Sequence, residues 1–556
     1  MTAYKHAIPL SVLTLAITHA LSGAVLAAPP DAGQVIQEME QPRMQPAPAS
    51  DLEFDIQTPK STDIPPGGPQ VTINTIRFSG NTVFTEQQLL IALGDVVGNR
   101  YDLAGLRALT DRITAYYREN DYPFARAWLP AQTMTGGELR IEIVEGNYGA
   151  AKAIGDDEEI IAGAQRFLDN LEPGAVIEGK VLERATLILN DQPGIRAVPI
   201  IRPGRMAGTG DLNVHVKRES LFGGQVSVDN HGNRYTGRER AKVSLYANSP
   251  FLFGDQLTLS GLYSQEDMWF GGLGYNLPLG TDGLRANVGY SHTYYELGEE
   301  YASLQSHGTA RVTSVGLSYP VIRSRQLNVR LSGTYQHKKL RDEVDSVTTR
   351  EDTSSDTLPI SVGFDLRDSL YGGGITYGSL GWTPGDLDLD SGLLATDSTT
   401  AKTDGGFDKF NFDVARLQAL PRKFTFFGRV SAQWTDDNLN SSEGFGIGGA
   451  TGVRAYPSGE GYGDKGILGQ AELRYALAPA FAPYVFYDSG RVTTNAQPWD
   501  NSVNHRSLSG AGAGMRINQD NWDFDAGVAW SLHGGAPESD TEDENPKLWV
   551  QGKYRF

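Results

Sequence analysis

The chain has 556 residues, and 67 acidic against 48 basic side chains give a formal charge of −19, which argues against nucleic acid as a partner. It has no cysteine, so a disulfide framework, a thiolate metal site and cysteine catalysis are excluded. Its 65 glycines and 24 tyrosines suit a protein of many strands and turns.

The first residues bear on the compartment. A polar start holding Lys5 and His6 leads into an apolar run from Ile8 to Ala27 that ends in Val25-Leu26-Ala27. This predicts a secretory signal cleaved after Ala27, with an uncleaved anchor as the alternative. No later stretch approaches the roughly 18 apolar residues of a membrane helix, so the exported chain is expected to be soluble or a β-barrel. Residues 28–70 are proline-rich and read as an extended linker. One short helix is expected within them, over about 31–41, where Asp31 can cap Val35, Ile36 and Met39 at helical spacing before Pro42.

From Val71 the pattern becomes that of compact α/β units. Ile76 and Phe78 mark a strand, Thr85 with Gln88 forms a capping box, and Leu106, Leu109, Ile113 and Tyr117 recur at helical spacing. The unit closes at 146 with the alternating strand Leu139, Ile141, Ile143. A second unit, 147–217, has helices around Ile160–Leu168 and Val181–Leu189 and a final strand Leu212, Val214, Val216.

Beyond Glu219 the helical period gives way to alternation. Leu327, Val329, Leu331, Gly333 and Tyr335 face one way, and Trp522, Phe524, Ala526, Val528 and Trp530 alternate with Asp523 and Asp525. Segments of this kind number about 16 between residues 218 and 556, with aromatics at their ends, as in an outer-membrane β-barrel; a soluble sandwich or propeller is the alternative. The last segment sets Leu548, Val550, Gly552, Tyr554 and Phe556 on one face and stops there.

Several motifs together resemble the outer-membrane transporters of two-partner secretion, the TpsB or ShlB/FhaC/HecB family of the BamA-like superfamily. Phe78-Ser79-Gly80-Asn81, Tyr122-Pro123-Phe124, Leu129-Pro130-Ala131-Gln132 and Glu145-Gly146 are similar to a polypeptide-transport-associated (POTRA) domain. Leu182-Glu183-Arg184 and Pro193-Gly194 resemble the family's second such domain, and Asp229-Asn230-His231-Gly232 its first barrel hairpin. Val453-Arg454-Ala455-Tyr456, in the segment of about 436–465, matches the inward-folded sixth loop; Phe486-Tyr487-Asp488-Ser489-Gly490 matches the strand motif whose carboxylate pairs with the loop arginine. Ala455 stands where glycine is usual, and a left-handed backbone there would cost alanine about 1 kcal/mol.

The resemblance implies α+β periplasmic POTRA domains followed by a 16-stranded antiparallel transmembrane β-barrel, with the 31–41 helix as a plug. It implies an outer-membrane transporter for an unfolded TpsA-type exoprotein. Loop locking falls to Arg454, Asp488, Val453, Tyr456, Phe486 and Gly490, and substrate binding to Phe78, Gly80, Asn81, Tyr122, Pro130, Gln132, Arg184, Pro193 and Gly194. Tyr554 and Phe556 resemble the signal read by the barrel-assembly machinery, and lipids with lipopolysaccharide surround the expected monomer. A barrel-assembly factor and a passive porin are the alternatives. No Gly-x4-Gly-Lys loop points to ATP, and the scattered histidines, such as His292, His307, His337 and His505, carry no hydrolase signature, so neither an enzyme nor a cofactor is expected. The acidic runs 386–390 and 538–544 lack the spacing of a calcium loop and read as solvated extracellular loops.

Overall fold

The computed structural model describes residues 29–40 and 65–556; the expected signal and most of the linker lie outside the described residues. Two compact units divide the chain, one holding the N-terminal helix with the residues from Ser220 onward apart from the turn 280–282, the other the residues up to Glu219.

In the second of these units the capping box of Thr85 and Gln88 starts the helix Glu86–Leu93, and Asp102 caps Leu103–Glu119. Leu89, Leu106, Leu109, Ile113 and Tyr117 turn inward from these helices onto Ile76, Phe78, Leu139, Ile141 and Ile143. The sheet beneath runs Thr75–Ser79, Glu138–Val144, Arg126–Trp128 in spatial order, leaving its two outer strands as edges. Glu145 closes the domain from inside. Its buried carboxylate accepts from Thr82 N (2.7 Å), Val83 N (2.9 Å), Tyr117 Oη (2.7 Å) and the Thr82 hydroxyl. Burial raises this carboxyl, but the four donors outweigh burial and hold its pKa below the ordinary 4.5.

The following domain repeats the plan, with the sheet Asn147–Ile154, Thr209–Arg218, Ile195–Pro203 and the helices Glu158–Leu168 and Gly179–Asn190. The last helix gets no cap from its own Glu178 side chain. Asp121 of the preceding domain supplies it, taking Gly179 N on its carbonyl at 2.8 Å and Lys180 N on its carboxylate at 2.7 Å, so the two domains share a helix cap.

The other unit is a closed antiparallel barrel of sixteen strands among the described residues, from Phe222–Asp229 to Lys547–Arg555. One strand is read in two pieces, Thr349–Thr357 and Ile360–Asp368, because Pro359 has no N–H for the ladder. Alternation is resolved as expected: Leu331, Tyr335, Trp522, Phe524 and Trp530 point outward and are exposed on the barrel face. Leu548, Val550 and Phe556 do the same, while Trp549 turns inward and is buried.

The acidic runs differ from the expected solvated loops. Asp386 and Asp388 lie within the strand Gly374–Leu389, and Asp390 caps the helix Ser391–Asp397. Asp540, Glu542 and Glu544 all form ion pairs with Arg238, at 3.0, 2.8 and 3.2 Å, with Arg234 beside Glu542 at 3.6 Å. The arginines stand on the loop after the first strand and the acids before the last, so only the closed barrel brings the two sets together.

Candidate functional site

Between Trp434 and Lys465 the chain leaves the barrel wall. A short antiparallel pair, Phe445–Gly446 with Tyr462–Gly463, makes this segment a hairpin, and its tip is tightened by Val453 N donating to Ile447 O at 2.7 Å. Val453, Ala455 and Tyr456 are buried there with Ile447 against Leu468, Tyr484, Phe486, Leu508 and Ala529 of the wall. Small residues make this approach possible. A Cβ on Gly490 would meet Ile447 at 3.1 Å, and one on Gly510 would meet the Ala455 methyl at 2.4 Å. The backbone at Ala455 is not left-handed, so alanine carries no strain penalty and its methyl fills the space opposite Gly510.

Barrel register then arranges the charges. Glu472 lies opposite Phe486, and Asp488 lies two residues further along the same strand. The Arg454 guanidinium sits 3.5 Å above the Phe486 ring and reaches both carboxylates. Its Nε and Nη2 donate to Asp488 Oδ2 and Oδ1, each at 2.7 Å, while Nη1 donates to Glu472 Oε1 at 2.6 Å. Glu472 also receives Arg474 at 2.7 Å and Arg516 at 3.1 Å, and Arg516 continues to Asp525 at 3.0 Å. Three arginines therefore balance three carboxylates, where the sequence motifs point to one pair. Tyr456 fixes the tip a second way, its hydroxyl donating to His533 O at 2.9 Å and Gly535 O at 3.1 Å.

At the base of the same loop Glu443 is buried between Lys338 and Lys409, each at 2.8 Å. Burial raises its carboxyl, but Lys409 and then Lys338 outweigh it and bring the pKa down to about 2. Against this base lies the helix Ala32–Glu40. Asp31 Oδ1 caps it through Gln34 N at 2.9 Å, and Ala32, Val35 and Ile36 pack with Tyr235, Tyr295, Tyr301 and Leu304 of the barrel interior. Gln37 donates to Ser442 O, and Gly33 meets Ser441 so closely that a Cβ would lie 2.2 Å from its Oγ. A cavity of about 450 Å³ remains between helix, loop and wall, lined in part by Gln34, Glu38, Arg240, Lys242 and Gly449.

The POTRA motif residues lie partly in the domain core and partly at half-buried positions. Phe78 is buried in the core, Gly80 has φ +81° and a Cβ there would run into Ile143 O, and Asn81 donates to Phe84 O at 2.9 Å. Gln132 pairs through its amide with Arg140 N at 2.8 Å and Arg140 O at 2.9 Å. Tyr122 stacks edge-on to Phe84 and Pro130 is half-buried beside Gln132. Arg184 is half-buried on its helix, and Pro193-Gly194 forms the turn into Ile195–Pro203, with φ +75° at Gly194. Phe78 and Gln132 among them hold the first domain together, while Tyr122, Pro130 and Arg184 keep part of their surface accessible. The residues that motif reading missed, Glu472, Arg474, Arg516, Asp525 and Trp549, are strand positions whose alternation gave only their inward facing.

A sixteen-stranded barrel preceded by two small α/β domains, with an arginine-tipped loop folded inside it, defines a class of outer-membrane transport barrel. The description "Haemolysin secretion/activation protein ShlB/FhaC/HecB" matches residues 208–517, and "POTRA domain, ShlB-type" matches residues 71–146. The chain belongs to this ShlB/FhaC/HecB family. It is 30% identical over 522 residues to the heme/hemopexin transporter protein HuxB of Haemophilus influenzae (strain 86-028NP), covering 90% of each chain. Its fold is similar to that of CdiB from Escherichia coli, with TM-score 0.74 at 21% identity over 91% of this chain and 94% of that one. BamA from Haemophilus ducreyi, lacking POTRA domains 1–3, gives 0.50 at 13% identity, covering 88% of this chain and all of that one. The protein is thus an outer-membrane translocator with its POTRA domains in the periplasm and a secreted TpsA-type partner; the barrel-assembly alternative is not favoured.

Proposed function

We propose that the POTRA domains capture the unfolded exoprotein by adding its strand to a free sheet edge, and that the chain then passes through the barrel once helix and loop have left the lumen. The edges Thr75–Ser79, Arg126–Trp128, Asn147–Ile154 and Ile195–Pro203 offer backbone groups with little sequence demand, and Trp128 is half exposed on the second. The observation that carries the reading is the nature of the obstruction. Two segments pack inside the barrel without crossing its ladder, and each adds polar contacts to its apolar packing, Arg454 with Asp488 and Glu472 for the loop, Gln37 with Ser442 for the helix. Such contacts can be exchanged for others without unfolding the wall. Transport would need no ATP and no chemistry of the chain's own, driven by folding of the cargo outside. The identity with a heme/hemopexin transporter protein supports a cargo that handles haem. Working units would be monomers, inserted by the barrel-assembly machinery among lipids and lipopolysaccharide.

Deletion of residues 71–146 is the test. Export of the exoprotein should stop while a heat-modifiable barrel persists in the outer membrane; undiminished export would sink the proposal.

A further inference from the structure

The barrel closes where its first strand meets its last, and this seam is the shortest ladder in the wall. Phe222–Asp229 and Lys547–Arg555 pair over five residues, from Gln225↔Arg555 to Asp229↔Gln551. The flanking ladders of the same two strands each run over eight. Two additions lengthen the seam. Gly224 and Phe556 exchange both backbone bonds at 3.0 Å, and at the other end the Asn230 amide stands in for a strand residue, donating to Leu548 O at 2.9 Å and accepting from Val550 N at 2.8 Å.

The inward loop crosses behind this seam and is bonded to both of its sides. From the last strand, the buried Trp549 donates its indole N–H to Arg454 O at 2.6 Å. From the loop that follows the first strand, Asn233 donates to Ser458 O at 3.1 Å, and Ser458 Oγ donates to His231 O at 2.8 Å. Glu460, fully buried with Arg506 at 2.7 Å, takes Glu538 N at 2.9 Å and Ser539 N at 2.8 Å from the loop that leads into the last strand. Within residues 454–460, Arg454, Ser458 and Glu460 thus bond to both flanks of the seam, through contacts separate from those of the Arg454 guanidinium with Asp488.

We propose that residues 454–460 form a strap that holds the barrel seam shut from inside, with Trp549 and Ser458 as positioning residues. Withdrawal of the loop and loosening of the seam are then one event. A buried donor or acceptor that loses its partner is costly, so the seam strands follow the strap or exchange its bonds for water, and a five-residue ladder has few bonds to resist with. The proposal goes beyond passage of cargo through the lumen, because it concerns the wall and makes no use of secretion as a readout.

The test exploits the absence of native cysteine, which makes two introduced thiols unique. Spin labels at Val226 and Tyr554 report the seam, being register partners across it, and labels at Leu245 and Leu259 report an ordinary ladder. The full chain is reconstituted in phosphatidylethanolamine–phosphatidylglycerol vesicles, and dipolar broadening is compared for the parent, Ser458→Ala, and Ser458→Ala with Trp549→Phe, which keeps an aromatic ring but loses the N–H. All three retain the outer arginine clasp of Arg234 and Arg238, so a change reports the strap. A second, unbroadened component at the seam pair, smaller in the single variant and larger in the double, with the control pair unchanged, is the expected result. An unchanged seam spectrum overturns the proposal. So does equal loss of broadening at the control pair, since the substitutions would then loosen the barrel as a whole.

Discussion

At Arg454 one guanidinium serves two carboxylates, and this makes the two ends of the lock unequal. Arg454→Ala strips a counter-ion from both Asp488 and Glu472, which are buried, at a cost of about 3–5 kcal/mol if no water enters. Asp488→Ala leaves the arginine with Glu472. Secretion per folded transporter should therefore fall further for Arg454→Ala than for Asp488→Ala, and the double variant should match the arginine variant; additive losses would show that the residues do not act together. Glu145 is the corresponding single residue of the first POTRA domain. Its folded pKa lies below 4.5, so its stabilisation is present above that value and is lost as pH falls through the lower, folded one. Glu145→Gln keeps the shape but weakens hydrogen bonds to a charged acceptor, each worth about 1.5–3 kcal/mol. Hydrogen exchange of the 71–146 amides should become faster in the variant at neutral pH and lose the parent's acid dependence as pH falls below the ordinary carboxyl value; exchange identical to the parent would contradict this.

Among the elements, the N-terminal helix depends on one close contact. Gly33→Val would place carbon within 2.5 Å of Ser442 N, backbone that cannot yield as a side-chain tip can, and overpacking of this kind costs about 1–3 kcal/mol. The helix should leave the lumen more often, raising the conductance of the barrel in planar bilayers, and conductance equal to the parent's would mean that the helix does not obstruct the pore. This helix is legible in the sequence because its signals are local: Asp31 caps it, and Val35 and Ile36 sit at helical spacing on one buried face. The Thr85 capping box and the alternation from Leu327 to Tyr335 are legible for the same reason. Contacts whose partners are distant in the chain are not. Asp121 capping the helix that starts at Gly179, Trp549 reaching the Arg454 carbonyl and Arg238 meeting Asp540 depend on closure and register, which no local window contains. The 538–544 run reads as solvated because its arginines stand some 300 positions earlier.

On the scale of the whole molecule, assembly and transport make separate demands on the terminal strand. Phe556 closes the seam through its backbone while its ring lies exposed beside Tyr554. Phe556→Asp removes the ring at a depth where a charge costs the folded barrel only about 0–1 kcal/mol. A marked drop in folded yield, with normal transport by the molecules that do fold, is the expected outcome, and equal yields would argue against recognition of the terminal aromatic during assembly. The balanced set of charges has a consequence for the path itself. While the loop is seated, Arg454, Arg474 and Arg516 cancel Glu472, Asp488 and Asp525. On the proposed mechanism, withdrawal of the loop tip would remove one positive charge from this cluster, and the wall at the level of Phe486 would turn negative by one. An arginine or lysine of a passing chain would then be offered the acceptors and the aromatic face that Arg454 had vacated, so that the resting gate and the moving cargo would compete for one seat.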